Sequence, residues 1–536
     1  MITVRAGRIA VTQGYSERVK LAAIPGARFE VETASWTFPL SPVSAAAVAA
    51  TLPGHFQDES FRQLKTGALE WAEGARNATD LPPPAKRKTE PWQHQKQAYH
   101  FARNLPGAFM NMGVGTGKTK VAIDLIQNSS ARKVLVVCTS KGARVWPWQF
   151  EEHCAVPYII TAGDGSLASR VRDARQMMEL ATVTDKLFVQ VVNYEAMAMS
   201  PMRDWLTSVT WGYVVWDEAH HLKSPGGVRS RYASMLADRS LRRLALTGTP
   251  MHHTPLDVYG QFRAVDKGVF GTSFALFRAR YAVMGGYKGY QVVRYQNEDD
   301  LRKRMLAVTY EAPSSVLDLP PETHTFRTCV LNADARKVYN GLIDDFMATV
   351  GDSEVVPPNA LARLLRLRQI TGGHVGVSDA DGSTSVRQID DAKEKLFGEV
   401  LEELGDEPVV VFAVFIADLE AIKRQCEAAG VTYAELSGRA DGFADWKAGK
   451  ARVLVCQVQS GGEALSMVEA RYTIYYSMGF SLGEYQQTAG RIRRPGQTRP
   501  VTYIHLLAEN TVDETVWRAV QKRENIVKAI LARKHA

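Results

Sequence analysis

At 536 residues the chain is too long for one hydrophobic core and fits about three or four domains, each large enough to bury an apolar interior. Charged residues at 23% and hydrophobic ones at 45% are ordinary for a globular protein, and no apolar run of about 18 residues is present, which excludes a membrane-spanning helix. The net charge of +8, from 65 basic and 57 acidic residues, tilts towards a polyanionic partner, and the five scattered cysteines fit a reduced, cytoplasmic protein.

In chain order, the first break is Leu81-Pro82-Pro83-Pro84-Ala85-Lys86-Arg87-Lys88. Its prolines stiffen the backbone and remove amide donors, predicting a linker over 79–90 that sets an N-terminal module, residues 1–78, apart. Beyond it the apolar runs Val134–Val137, Phe188–Val192, Tyr213–Trp216 and Leu244–Leu246 alternate with helix-like segments. Near-continuous apolar strands are what a parallel sheet covered on both faces requires, so they predict an α/β domain over 91–265. A second series, Val409–Phe412, Val453–Val455 and Thr473–Tyr476, predicts another over 319–510. The stretch between is too long for a plain connection. It is expected to build helical protrusions at 266–318 and at about 333–390, the latter with an arginine- and leucine-rich run from Leu361 to Gln369. Residues 511–536 read as one amphipathic basic helix. The basic runs at Lys86–Lys88 and Arg363–Arg368 are read as solvated faces or phosphate contacts, and Trp146, Trp148, Trp211 and Trp216 as core.

Two short strings carry chemistry. A strand-like Gly107-Ala108-Phe109-Met110 runs into a turn containing Gly113, Gly115, Thr116, Gly117, Lys118 and Thr119. Its backbone amides can point at phosphate oxygens, and a helix starting near Lys118 adds its positive N-terminal end. Lys118 then reaches the β and γ phosphates of a nucleoside triphosphate and Thr119 holds Mg2+. Met112 departs from the general pattern, which has glycine there. About a hundred residues on, Asp217-Glu218-Ala219-His220 follows four apolar residues, so Asp217 ends a buried strand beside the turn, where open α/β sheets bind ligands. Asp217 is suited to hold Mg2+ through water, and Glu218 to orient and deprotonate the attacking water. His220 and His221 lack the Cys/His company of a metal centre, and His220 is assigned to coupling with the next motif.

A third string, Gln487-Thr488-Ala489-Gly490-Arg491-Ile492-Arg493-Arg494-Pro495-Gly496-Gln497, supplies arginines from the second domain. With Gln95, the two strings above, Leu246-Thr247-Gly248-Thr249-Pro250 and Ser460-Gly461-Gly462-Glu463-Ala464-Leu465, it resembles the Swi/Snf branch of superfamily-two helicases over residues 91–515. The resemblance implies two RecA-like domains with ATP between them and translocation along DNA, usually duplex. It implies that Gln95 reads adenine, that Gln487 joins the nucleotide site, and that Arg491 and Arg494 are the family's arginine pair. Arg494 is then the finger that stabilises charge on the γ-phosphate. Thr247, Gly248 and Thr249 match the element coupling hydrolysis to domain movement. Thr139-Ser140-Lys141, Asn193-Tyr194-Glu195 and Ser460-Gly461-Gly462 match elements that grip one DNA strand through its phosphates. Arg493 stands where the family often has histidine, and Ser466 where it often has asparagine.

Near the N-terminus, Ala23-Ile24-Pro25-Gly26-Ala27-Arg28-Phe29 followed by Ser35-Trp36-Thr37-Phe38-Pro39-Leu40 is similar to the substrate-recognition module of the HepA-related annealing helicases, a small β-rich domain ahead of the motor. Arg28 and Trp36 can present a cation and a flat ring to phosphate and unpaired bases; equally, Trp36 and Phe38 are alternate strand positions with one ring in a small core. The expectation is a monomeric ATP-dependent translocase that rewinds or remodels duplex, forked or partly single-stranded DNA, using ATP and Mg2+. An RNA or single-strand helicase, a restriction-system motor subunit and a nucleotide-binding clamp without hydrolysis are the other readings. Intact Lys118, Glu218 and Arg494 argue against the last. The lack of long tails and zinc-binding appendages suggests a bacterial or viral source.

Overall fold

The computed structural model describes residues 1–522 apart from 13–15, 66, 141, 249, 252–253, 287–290, 351–357, 379–383, 462–464 and 480–481. The chain divides into two units, Met1–Val316 and Leu317–Ala536.

The first unit opens with β1 (Ile2–Arg5), β2 (Arg8–Thr12), β3 (Arg28–Glu30) and β4 (Ser35–Pro39), an antiparallel sheet in the order β1-β2-β4-β3. Ile9 lies opposite Phe38 and Val11 opposite Trp36, so these side chains share one face and pack with Leu21, Val48 and Phe61. Phe29 pairs with Trp36 and Arg28 with Thr37, which puts Arg28 on the other face from Trp36. The cation and the ring expected to face phosphate and unpaired bases therefore do not share one face of this sheet. The Trp36 ring instead meets Phe29 edge-on at 5.4 Å.

Nor is this module set apart from the rest of its unit. The Arg76 guanidinium lies 4.5 Å from the Phe101 ring and donates to the Thr309 carbonyl at 2.6 Å, and the Trp71 indole donates to the His100 carbonyl at 2.9 Å. The proline-rich linker is tied down too, by paired bonds between the Lys86 backbone and the Asn128 side chain at 2.8 and 2.7 Å.

Then come β5 (Gly107–Met112), β6 (Lys133–Cys138), β7 (Tyr158–Thr161), β8 (Leu187–Asn193), β9 (Trp211–Asp217), β10 (Ser240–Thr247) and, after a hairpin of β11 (Ala282–Gly285) and β12 (Gln291–Tyr295), β13 (Thr309–Ala312). All but the hairpin form one parallel sheet, ordered β13-β5-β10-β9-β6-β8-β7. Leu135, Val137, Val214 and Trp216 enter one core with Phe262, while Val134, Val136, Tyr213 and Val215 enter another with Phe101 and Ile123. Burial on both faces is why these strands read as continuous apolar runs.

The second unit holds β14 (Glu322–Cys329), the hairpin of β15 (His374–Ser378) and β16 (Thr384–Gln388), β17 (Val409–Ala413), β18 (Tyr433–Leu436), β19 (Val453–Gln457), β20 (Tyr472–Tyr475) and β21 (Val501–Ala508). Outside the hairpin these again form a parallel sheet, ordered β14-β21-β20-β17-β19-β18. Two parallel α/β sheets preceded in the chain by a small antiparallel module are the fold class expected from the sequence.

Three local expectations are corrected. The stretches read as helical protrusions do contain helices Phe274–Tyr281, Glu298–Leu306, Ala333–Val350 and Pro358–Thr371, but 266–318 also supplies β13 as an outer strand of the first sheet, and between the two stretches β14 is an outer strand of the second. Trp148 is 61% exposed, because in the helix Gly142–His153 it stands two positions from the buried Trp146 and so points the other way. Arg368 is buried, with its guanidinium 5.5 Å from the Phe415 ring, and does not belong to a solvated basic face. The last helix runs Val512–Lys522, and 523–536 lie outside the described residues. Among the described residues no helix is long and apolar enough to cross a membrane.

Candidate nucleotide-binding site

Asn111 of β5 lies opposite Thr247 of β10, and Leu246 of β10 opposite Asp217 of β9. The carboxyl ends of three adjacent strands thus bring the glycine turn, the acidic pair and Thr247-Gly248 to one edge of the first unit's sheet. That edge is where ligands bind in open α/β folds. Gly115 and Gly117 both take left-handed backbone at φ 81°, and a Cβ on Gly117 would fall 2.2 Å from Gln95 Nε2. The helix Lys118–Gln127 starts directly after, leaving its first amides facing the turn. Lys118 Nζ donates to the carbonyls of Met112 at 2.9 Å and Gly113 at 3.2 Å. The departure at Met112 has a structural reason: it is the buried last residue of β5, and the space for glycine is one residue later, where a Cβ would sit 2.3 Å from Ser314 Oγ.

Gln95, expected to read a base, has both ends of its amide engaged inside the chain. Its oxygen accepts from the Trp92 amide and its nitrogen donates to the Thr116 carbonyl, each at 3.0 Å. His94 Nε2 reaches the same carbonyl at 2.8 Å, and the Thr116 hydroxyl donates to the Gly113 carbonyl at 2.7 Å. These bonds brace the turn from behind.

Asp217 is held at three points. Its Oδ2 accepts from Trp146 Nε1 at 2.9 Å, its Oδ1 from the Glu218 amide at 3.1 Å, and its carbonyl from the Tyr194 hydroxyl at 2.8 Å. Burial first, and then the neighbouring Glu218 charge, push the Asp217 carboxyl up to about 6, against the Trp146 bond and the Lys118 charge. Glu218 sits at φ 50°, a left-handed conformation that costs about 1 kcal/mol or more for a residue with a side chain and is typical of functional turns. Its Oε2 lies 3.2 Å from His220 Nδ1 and 3.5 Å from Thr247 Oγ1, which are themselves 3.2 Å apart. Three residues picked separately from the sequence therefore form one cluster. Gly248 closes against the turn, a Cβ there lying 3.2 Å from the Met112 carbonyl oxygen. His221 is pushed down to about 4 by burial and His220, and stacks on that ring at 4.8 Å.

The residues matched to DNA-gripping elements gather at the ends of β6 and β8. Thr139 Oγ1 accepts from the Gly142 amide at 3.1 Å, and Asn193 donates to Ser140 Oγ at 3.0 Å while its Oδ1 accepts from the Ala196 amide at 2.8 Å. Tyr194 is different: it is buried, with its ring in the core, so its side chain is not presented to a ligand. Lys141, Thr249 and Gly462 lie outside the described residues, and Ser460 and Gly461 fall in the short helix Val458–Gly461. In the second unit Gln487 is carried on the helix Leu482–Ala489, the Arg491 carbonyl accepts from the Met467 amide at 2.9 Å, and Arg494 Nη1 donates to the Leu465 carbonyl at 3.2 Å. Arg28 and Trp36 stand in the N-terminal module, on opposite faces of its sheet.

The SNF2-related domain matches residues 86–372, more than half of the chain, and the helicase conserved C-terminal domain matches 392–496. The chain belongs to the SNF2-related family. This SNF2-related protein is thus a DNA-dependent ATPase of the helicase type, and its two parallel sheets are RecA-like. It is 26% identical over 451 residues to "Putative protein p41" of Acyrthosiphon pisum secondary endosymbiont phage 1, covering 78% of this chain and 92% of that one. It is 21% identical to the human "DNA annealing helicase and endonuclease ZRANB3", over 84% of this chain but only 41% of the relative's length. Among solved structures, the Sulfolobus solfataricus SWI2/SNF2 ATPase core in complex with dsDNA is similar at 19% identity and a TM-score of 0.40, covering 83% of this chain and 93% of that chain.

The SNF2-related protein uses a nucleotide, and its edge residues fit a nucleotide-borne Mg2+. No group of three or more His, Cys, Asp or Glu side chains suited to a metal occurs among the described residues. A cation that keeps most of its shell as water and phosphate oxygen needs only one or two carboxylates. The half-buried Asp217, its charge opposed by Glu218, with Thr119 at the start of the helix that follows the turn, is such a donor set.

Proposed function

We propose that this protein is an ATP-dependent translocase on duplex or branched DNA that rewinds or remodels forks. The observation that carries the reading is the single sheet edge where Lys118, Asp217 and the Glu218–His220–Thr247 cluster meet. In this reading the turn amides and Lys118 bind the β and γ phosphates, Lys118 exchanging its two carbonyl partners for phosphate oxygens. Thr119 and Asp217 would hold a nucleotide-borne Mg2+, which would supply charge neutralisation there. Glu218 takes the proton of the attacking water, and His220 and Thr247 hold that carboxylate in place and report its state. Thr249 and Gly248 extend the same coupling element. Gln95 senses the nucleotide through the turn it braces, Gln487 joins the site, and Arg491 with Arg494 stabilises the charge of the departing phosphoryl group.

Thr139, Ser140, Lys141, Asn193, Ser460, Gly461 and Gly462 contact the phosphates of one strand, and the module over 1–78 recognises the fork. Support for fork work is the match to an annealing helicase over most of this chain. The test is ATP turnover by the full chain with forked duplex, plain duplex, single strands and RNA. Forked DNA is expected to stimulate most, and stimulation led by RNA or by single strands would replace this reading with a strand-tracking helicase.

A further inference from the structure

Asp217 is gripped by two aromatic side chains that no motif assigns to the nucleotide. Trp146 and Tyr194 are each only 1% exposed, and each directs its one side-chain donor to Asp217, the indole to Oδ2 at 2.9 Å and the phenol to the carbonyl at 2.8 Å. A buried donor has no water to fall back on, and one that faces an anion makes the stronger kind of bond.

What lies at the other end of these two side chains matters more. Trp146 belongs to the helix Gly142–His153, whose first amide is capped by Thr139 Oγ1 at 3.1 Å. Tyr194 opens the short helix Tyr194–Met197, capped by Asn193 Oδ1. Asn193 also donates to Ser140 at 3.0 Å, which ties the two helix starts together. The residues read as strand contacts therefore cap the very segments that hold Asp217. Neither segment can shift against β9 without stretching a hydrogen bond from a buried side chain to that aspartate.

We propose that Trp146 and Tyr194 are positioning residues that transmit engagement of a DNA strand at Thr139, Ser140 and Asn193 to Asp217, setting how far DNA accelerates turnover. This rests on the reading that Asp217 serves the nucleotide and that those three residues meet DNA.

Trp146→Phe keeps a ring in the core and removes the donor. In the full chain at saturating forked DNA, kcat is expected to fall about tenfold or more, with KM for ATP changed by less than about threefold, the size expected for a lost charge-assisted bond. Without DNA, binding of a fluorescent ADP analogue should need more Mg2+. Tyr194→Phe should act in the same direction, and the double variant should lose less than the product of the two single losses. Trp211→Phe is the control: it removes a comparable buried indole bond, to the Leu206 carbonyl at 3.0 Å, at the opposite end of β9, and should leave DNA stimulation unchanged. Wild-type stimulation in Trp146→Phe, or an equal loss in Trp211→Phe, overturns the proposal. Failure of the underlying reading looks different: the unaltered chain would show no DNA stimulation, or Asp217→Asn would bind Mg2+ and nucleotide as the unaltered chain does.

Discussion

Glu218→Gln is expected to lower ATP hydrolysis by about 10²- to 10⁴-fold, the usual share of a positioned general base, while nucleotide binding stays within a few-fold. The substitution keeps size and an oxygen that can accept from Thr247, so the cluster around it persists. It removes the negative charge and with it the proton acceptor. One consequence runs in a definite direction: the Glu218 charge is the second largest cause holding the Asp217 carboxyl up at about 6. Taking it away leaves Asp217 more readily ionised at neutral pH, so Mg2+-dependent nucleotide binding should be unchanged or tighter. Phosphate release and titration with a fluorescent nucleotide read the two effects apart. Turnover near that of the unaltered chain would reassign the base.

The second large effect is at Arg494. An arginine that stabilises a departing phosphoryl group is worth about 10³- to 10⁵-fold in turnover, and Arg494→Ala is expected to lose that amount. Arg494→Lys should not restore it, because a point ammonium lacks the planar fork of the guanidinium. The loop itself should survive. Gln497 holds it by donating to the Val468 and Ala470 carbonyls at 3.1 and 2.8 Å and accepting from the Thr498 and Arg499 amides, both at 3.1 Å. Arg494 adds a bond to the Leu465 carbonyl. Loss of turnover with an unchanged thermal midpoint separates a chemical role from a structural one, and an active Arg494→Ala variant would remove Arg494 from the reaction.

How far the sequence could be read depended on whether a residue's role was local. Strands buried on both faces announce themselves as apolar runs, and a phosphate turn needs glycines at fixed spacing, so both sheets and the turn were legible. The outer strands β13 and β14 were not, because Glu311 and most of Glu322–Cys329 face solvent and break the apolar pattern. Arg28 and Trp36 stand on neighbouring strands, and only the register of that pairing decides that they fall on opposite faces. Trp146 was legible as a core residue and illegible as the donor to Asp217, since the two stand 71 positions apart in the chain. Tyr194 shows the same limit: its motif pointed to DNA, while burial turned its hydroxyl inward to the end of β9. Gln95 likewise carries a motif's identity and a contact, with Thr116, that only folding reveals.

In the proposed reading Lys118, Asp217 and Glu218 serve one hydrolytic site that answers to DNA. Steady-state phosphate release from ATP by the full chain, with and without forked duplex DNA and in parallel for Lys118→Ala, tests it most directly. Turnover is expected to rise on adding DNA and to be abolished by Lys118→Ala under both conditions. Turnover indifferent to DNA, or a Lys118→Ala variant that still hydrolyses ATP at the unaltered rate, would contradict it.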